Sequence, residues 1–283
     1  MKYVHADVFS SKALSGNGVT VVFIENNIDE EILQKIAQEL KQYETVFVYP
    51  ERQGVFPIRI FTVQEEIPFA GHPVIGTAAV IHKVFYSTVD NKNIDFLFNM
   101  SGKKLALKSK KQETFYSVEM NQGEADFISV LNDNDKSDLL KFTSLVENDI
   151  DKNLSIEVVS TGLPYLLVPL KKNIQNAIIT KPGFESFLKN YGAKFSYFFQ
   201  TDTLECRSWD NSGMFEDVAT GSAAGPLASY LVKHKLMNYE ENICLNQGRF
   251  CGRPSRIDCV VNKLDEVVIK GDVSIFAEGE INI

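Results

Sequence analysis

The sequence predicts an α+β protein made of two similar lobes, and three observations lead there. Short segments rich in β-branched and aromatic residues, bounded by Gly, Asn, Asp and Pro, recur along the whole chain and read as strands. Segments with helical spacing are few, and two of them are built of small residues and open from a glycine turn, "PFAGHPVIGTAAV" at 68–80 and "EDVATGSAAGPLASYLVKH" at 216–234. Laid over one another with an offset of 150, the two regions agree at Glu66 with Glu216, Gly71 with Gly221, Ala78 with Ala228 and Ile81 with Leu231. That agreement points to an internal duplication.

The elements follow in order. "YVHADVF" and "GVTVVFIE" read as two strands of a hairpin, joined through the "SGNG" turn that holds Asn17 between two glycines. "DEEILQKIAQELK" spaces Ile32, Leu33, Ile36, Ala37 and Leu40 as one helical face behind the acidic first turn of Asp29, Glu30 and Glu31, and ends near Lys41. "ETVFVYP" and "VFPIRIFTV" are strands, "IGTAAVIHKVF" is a helix, and "IDFLFNM", "KKLALKSK" and "TFYSVEM" are strands with a turn at Gly102. The irregular acidic stretch "SVLNDNDKSDLLKFTSL", with a short helix in it, marks the boundary between lobes at 1–120 and 121–283. Beyond it come strands at "SIEVVSTG" and "YLLVPL", a helix near "GFESFLKNYG", strands at "YFFQTD" and "ECRSW", and the second small-residue helix. "CLNQGRF", "SRIDCVV", "EVVIKG" and "INI" close the chain as strands, the last of which could return to the first lobe.

Composition narrows the business of the protein. With 283 residues and 44% hydrophobic content the chain can bury a core without metal or disulfides. A net charge of −8 argues against nucleic acid or an anionic membrane as partner, since both need clustered Lys and Arg. The start "MKYVHADVFS" lacks the pattern of a signal peptide, and no segment reaches the roughly 18 apolar residues of a membrane span, so a cytoplasmic protein is expected. Cys206, Cys244, Cys251 and Cys259 form no Cys-x-x-Cys pair and read as buried thiols or bystanders, with no metal site implied. His5, His82 and His234 belong to no constellation and read as structural.

The two glycine turns are the place for chemistry. A turn running into a helix leaves backbone N–H groups aimed at one point, where the helix dipole also favours an anion. If the two lobes pack about a pseudo-two-fold axis, Gly71-His72 and Gly221-Ser222 would face one cleft and hold a small carboxylate. No phosphate-loop or dinucleotide fingerprint is present, so no nucleotide cofactor is expected.

"DVFSSKALSGNGVTVV", "YETVFV", "FTVQEEIPFAGHPVIGTA", "STGLPYLLVPL", "EDVATGSAAGPLASYL" and "NQGRFCGRPSRI" stand in the order and at the spacings of the phenazine biosynthesis PhzF-like family, which the chain resembles along nearly its whole length. The resemblance implies the diaminopimelate-epimerase fold, two lobes each with a mostly antiparallel curled sheet around a central helix. It also implies an isomerase without cofactor, since the family's characterised enzyme moves a proton on dihydro-3-hydroxyanthranilate with a glutamate as acid and base. That glutamate falls on Glu44, the histidine of the "AGHP" motif on His72 and the aspartate before the second turn on Asp217. A homodimer is implied on the same ground. The chain departs from the family pattern at Gly18, Val63 and Val218, each where proline is usual, and at Tyr43, where a small serine is usual.

Carbon-to-carbon proton transfer needs one group that both takes and gives a proton, and a carboxyl group buried among apolar neighbours such as Phe47 can do both. Glu44 stands where a helix hands over to a strand, a junction that points a side chain into a cleft. His72 and Asp217 would orient the substrate, while Asn17, Gly71, Gly221 and Ser222 would bind it. Two other functions use the same fold: a non-catalytic small-molecule-binding or interaction protein, which would exchange no carbon-bound proton, and a cofactor-independent amino-acid epimerase. The second is weakened because Ala70 and Thr220 stand where paired-thiol racemases carry cysteine.

Overall fold

The structure, a computed structural model, describes residues 1–87, 93–100 and 102–283. The chain divides into two units, Met1–Asn121 with Lys270–Ile283, and Gln122–Ile269.

In the first unit β1 (Lys2–Val8) pairs antiparallel with β2 (Asn17–Phe23), Val8 opposite Asn17. The helix α1 (Glu30–Leu40) then returns the chain so that β3 (Glu44–Val48) lies parallel to β2, with Glu44 beside Val19. Next, β4 (Val55–Phe61) and β5 (Glu66–Ile67) add antiparallel, α2 (Gly71–Tyr86) crosses, and β6 (Asn93–Met100) comes back parallel to β4. Finally β7 (Lys103–Lys111) and β8 (Tyr116–Glu124) extend the sheet as hairpins, while residues 273–280 line the other edge of β1.

The two helices are held differently. α1 buries Leu33, Ile36 and Ala37 against Val22, Ile24, Phe47 and Phe61, and Lys41 ends it at φ 53° with its N–H on the Ala37 carbonyl. α2 is buried from Gly71 through His82, as expected of a helix apolar on all sides. Its close fit depends on Gly76, where a Cβ would stand 2.6 Å from Val19 Cγ1 and 2.9 Å from Val8 Cγ2.

The second unit runs β9 (Asp126–Val130), α3 (Asp133–Leu140), β10 (Glu157–Ser160), β11 (Pro164–Leu170), α4 (Phe184–Asn190), β12 (Phe195–Gln200), β13 (Glu205–Trp209), β14 (Glu216–Asp217), α5 (Gly221–Lys233), β15 (Ile243–Gln247), β16 (Ser255–Val261) and the start of β17 (Glu266–Glu280). Its pairings repeat those of the first unit step for step: antiparallel β10–β11, parallel β11–β12, antiparallel β12–β13 and β13–β14, parallel β13–β15, antiparallel β15–β16. The duplication expected from the sequence is therefore present in the topology, and the class is α+β. Even a detail recurs. Arg59 Nε donates to Glu66 at 2.8 Å ahead of α2, and Arg207 donates to Glu216 at 2.6 and 2.7 Å ahead of α5.

Four local expectations are corrected. Asn17 is the first residue of β2 and not part of a tight turn, because the connection spans residues 9–16. Each small-residue helix begins at its glycine, so Gly71, His72 and Pro73 form the first turn of α2, where a proline lacks no needed N–H. β17 does not stop near Gly271 but continues to Glu280, and "INI" is not a strand: Ile281 instead packs against the α1 cluster. β9 occupies residues where the sequence predicts no strand, and α3 after it is capped by Asn132 and Asp135. Among the described residues, no helix is long and apolar enough to cross a membrane.

Candidate active site

Three elements of the first unit bring Asn17, Glu44 and His72 together. Gly16, at φ +76°, lets the backbone pass where a Cβ would lie 2.3 Å from the Val8 carbonyl oxygen, and this seats Asn17 inside at the head of β2. Glu44 leads β3, and His72 is the second residue of α2. His72 Nε2 lies 3.2 Å from Glu44 Oε2, with the histidine 8% and the glutamate 17% exposed at the side chain. On the far side of the ring, Asn17 Nδ2 is 3.3 Å from His72 Nδ1 and the asparagine is fully buried. Gly71 adjoins them as the first residue of α2, after Ala70 at the N-cap. Tyr43, next to Glu44, is half exposed.

The second unit gathers Asp217, Gly221 and Ser222. Asp217 Oδ2 accepts a hydrogen bond from Thr220 Oγ1 at 2.6 Å and its Oδ1 one from the Ala219 N–H at 3.4 Å, so the carboxylate folds the turn that opens α5. Gly221 and Ser222 are the first two residues of that helix, and Ser222 Oγ lies 2.6 Å from the Tyr165 hydroxyl. Behind the turn, the fully buried Gln247 donates from Nε2 to the Asp217 carbonyl at 2.8 Å and to Thr220 Oγ1 at 3.0 Å. Its Oε1 accepts from the Thr220 N–H at 3.1 Å and from the Tyr197 hydroxyl at 2.9 Å. Burial pushes the Tyr197 phenol well above its ordinary value, which keeps it a donor.

Sequence reasoning did not find Gln247, Tyr165 or Tyr197 as parts of a site. A polar residue closing a strand before "GRF" and a tyrosine in "STGLPYLLVPL" were the available signals. The other histidines are engaged elsewhere: His5 with Thr20, His82 with Ser109, His234 with Glu157. Cys206 and Cys259 are buried and burial raises both thiols, while Ala70 and Thr220 are the N-caps of the two helices. Among the described residues no three His, Cys, Asp or Glu side chains gather as a metal site would.

The clusters differ in chemical ability. A carboxylate in contact with an imidazole can carry a proton, whereas hydroxyls at a helix N-terminus can hold an anion.

The family profile described as phenazine biosynthesis-like protein, PhzC-PhzF, matches residues 6–279. The chain belongs to this family. It is 31% identical over 291 residues to the trans-2,3-dihydro-3-hydroxyanthranilate isomerase of Pseudomonas chlororaphis, covering 99% of this chain and 98% of that one. It is 28% identical over 290 residues to an uncharacterized isomerase of Escherichia coli K12, covering 98% and 96%. Among solved structures, one described as a predicted epimerase of Pseudomonas aeruginosa shares 37% identity and superposes with a TM-score of 0.92 over 99% of this chain and 98% of that one. The present chain is a PhzF-like isomerase.

Proposed function

We propose that this isomerase moves a proton between two carbons of a small unsaturated carboxylic acid, with Glu44 as the group that takes and returns it. The observation that supports this reading is the 3.2 Å contact between Glu44 Oε2 and His72 Nε2, made at the head of β3 and the first turn of α2. Glu44 removes a proton from a carbon next to a double bond. The C–H electron pair becomes a new double bond, the old one shifts along, and the carbon at its far end takes the proton back from Glu44. Atoms and electrons balance within the substrate and the carboxylate, so these residues can complete the step by general acid–base catalysis. His72 Nε2 stands beside Oε2, and Oε1 is the oxygen proposed to carry the proton.

Asp217, Gly221 and Ser222 are proposed as substrate-binding residues, the aspartate for an amino or hydroxyl group and the helix N-terminus with the serine for the carboxylate. Gly71 offers its backbone in the same way. The compound named for the Pseudomonas chlororaphis relative, trans-2,3-dihydro-3-hydroxyanthranilate, is the first acid to test. Incubation in heavy water with this compound and a panel of unsaturated acids is expected to put deuterium on carbon. The Glu44→Gln protein, with its circular dichroism and melting curve intact, is expected to lose the reaction by about a hundredfold or more. A Glu44→Gln protein that still exchanges would refute the assignment.

A further inference from the structure

We infer that Asn17 is a positioning residue that fixes His72 as the neutral tautomer with its proton on Nε2, so that the ring donates toward Glu44. The inference rests on Glu44 being the proton carrier, and it moves Asn17 from the substrate to the histidine behind it. Asn17 is fully buried and its Nδ2 stands 3.3 Å from His72 Nδ1. An amide NH2 group only donates, so the nitrogen it meets must be the bare one. A neutral imidazole with a bare Nδ1 carries its proton on Nε2, the atom 3.2 Å from Glu44 Oε2.

The two alternatives are each opposed by something in the structure. With the amide turned over, Nδ1 would need the proton and a bare Nε2 would face a carboxylate oxygen, two acceptors at 3.2 Å. With both nitrogens protonated, the Asn17 NH2 group would face a second donor at 3.3 Å, and the positive end of the 16-residue helix α2 would oppose the added charge. With the proton on Nε2, the amide donor meets a bare nitrogen and the ring N–H faces the carboxylate. The consequence is a division of labour between the carboxylate oxygens: Oε2 is buried beside the ring nitrogen, and Oε1 is the oxygen that exchanges the proton with carbon.

The test reads the tautomer directly and does not depend on turnover. The full chain is prepared with nitrogen-15 in its histidines, of which there are four, and long-range proton–nitrogen spectra are recorded at neutral pH without ligand. The His72 signals are those lost in a His72→Gln protein. Expected are a bare nitrogen at Nδ1 and a protonated one at Nε2. In Asn17→Asp the new side chain can only accept, so Nδ1 is expected to become protonated, and deuterium exchange into the substrate to fall about ten- to a hundredfold at a temperature where the variant is folded. A wild-type His72 with its proton on Nδ1 overturns the inference, as does an Asn17→Asp protein with an unchanged nitrogen pattern. The wild-type spectrum decides even if the variant does not fold. An active Glu44→Gln protein beside the expected nitrogen pattern would remove the proposed role of Glu44 and leave the tautomer standing.

Discussion

Replacing Gly76 by alanine tests whether the close approach of α2 to its sheet is what keeps His72 and Glu44 in contact. The added Cβ would lie 2.6 Å from Val19 Cγ1 and 2.9 Å from Val8 Cγ2, and ordinary contact begins near 3.4 Å. Both valines are fully buried β-strand residues, so restoring an ordinary contact takes a displacement of about 0.8 Å between α2 and the sheet, the difference between 3.4 and 2.6 Å. Overpacking of this kind costs about 1–3 kcal/mol, and alanine returns about 0.8–1 kcal/mol of helix propensity. The net expectation is a loss of about 0–2 kcal/mol and a melting temperature lower by up to a few degrees. His72 lies one turn before Gly76, and Val19 is the β2 residue that pairs with Glu44, so the same shift falls across the 3.2 Å contact and stretches it toward 4 Å. A misplacement of that size lowers turnover by about tenfold or more. Thermal melting and deuterium exchange on one protein sample measure both effects. A Gly76→Ala protein as stable and as active as wild type would refute the reasoning.

Three more outcomes follow from the geometry. The Arg207–Glu216 pair is almost wholly buried, at 5% and 9% side-chain exposure, whereas Arg59 and Glu66 are 28% and 29% exposed and Arg59 also meets Glu30. Glu216→Gln is therefore expected to cost about 3 kcal/mol in urea unfolding and Glu66→Gln about 1 kcal/mol or less, and equal losses would contradict this. Tyr165→Phe and Ser222→Ala are each expected to raise KM several-fold, with the double variant no worse than either single one; additive effects would deny that the two hydroxyls act as one unit. Burial pushes the Glu157 carboxyl up, but hydrogen bonds from Lys233, Ser155 and His234 together outweigh it and hold the group below the usual carboxylate range. A lowered carboxyl stabilises the fold at neutral pH and loses that contribution as the pH falls from about 4.5 downward. Melting curves of wild type and Glu157→Gln should converge over that acid range, and parallel curves would be the contrary result.

Much of this architecture is legible in the chain because its signals are local. The acidic first turn and apolar face of α1, the small residues of α2 and α5 and the β-branched runs all announce themselves within about ten residues. The offset of 150 adds a long-range signal of its own, and the structure extends it to paired arginines and to the order of strand pairing. What stays hidden depends on partners far away in sequence. Gly271 looks like the end of a strand, yet it sits inside β17, and it is a glycine there because the Phe9 ring passes 2.7 Å from where its Cβ would be. Asn17 looks like a hairpin turn residue until His72, 55 positions on, is folded against it. Gln247 gives no local hint that it ties together a turn 27 residues earlier. Glu44 and His72 stand out singly by motif, but their mutual distance is a property of β3 and α2 packed together.

The long strand β17 sets a timetable for folding. Its first residues, 266–269, belong to the second unit, and from Lys270 it belongs to the first, where it covers the edge of β1. During synthesis the opening 121 residues therefore emerge with β1 lacking its partner on one side, and that partner appears only after the whole second unit has been made. The N-terminal amine of Met1 even donates to the carbonyl of Ile281, 280 positions later. The half that carries Glu44 and His72 can begin to collapse early, but its sheet is completed last. In a growing chain, the exposed edge of β1 is the place where mispairing would start.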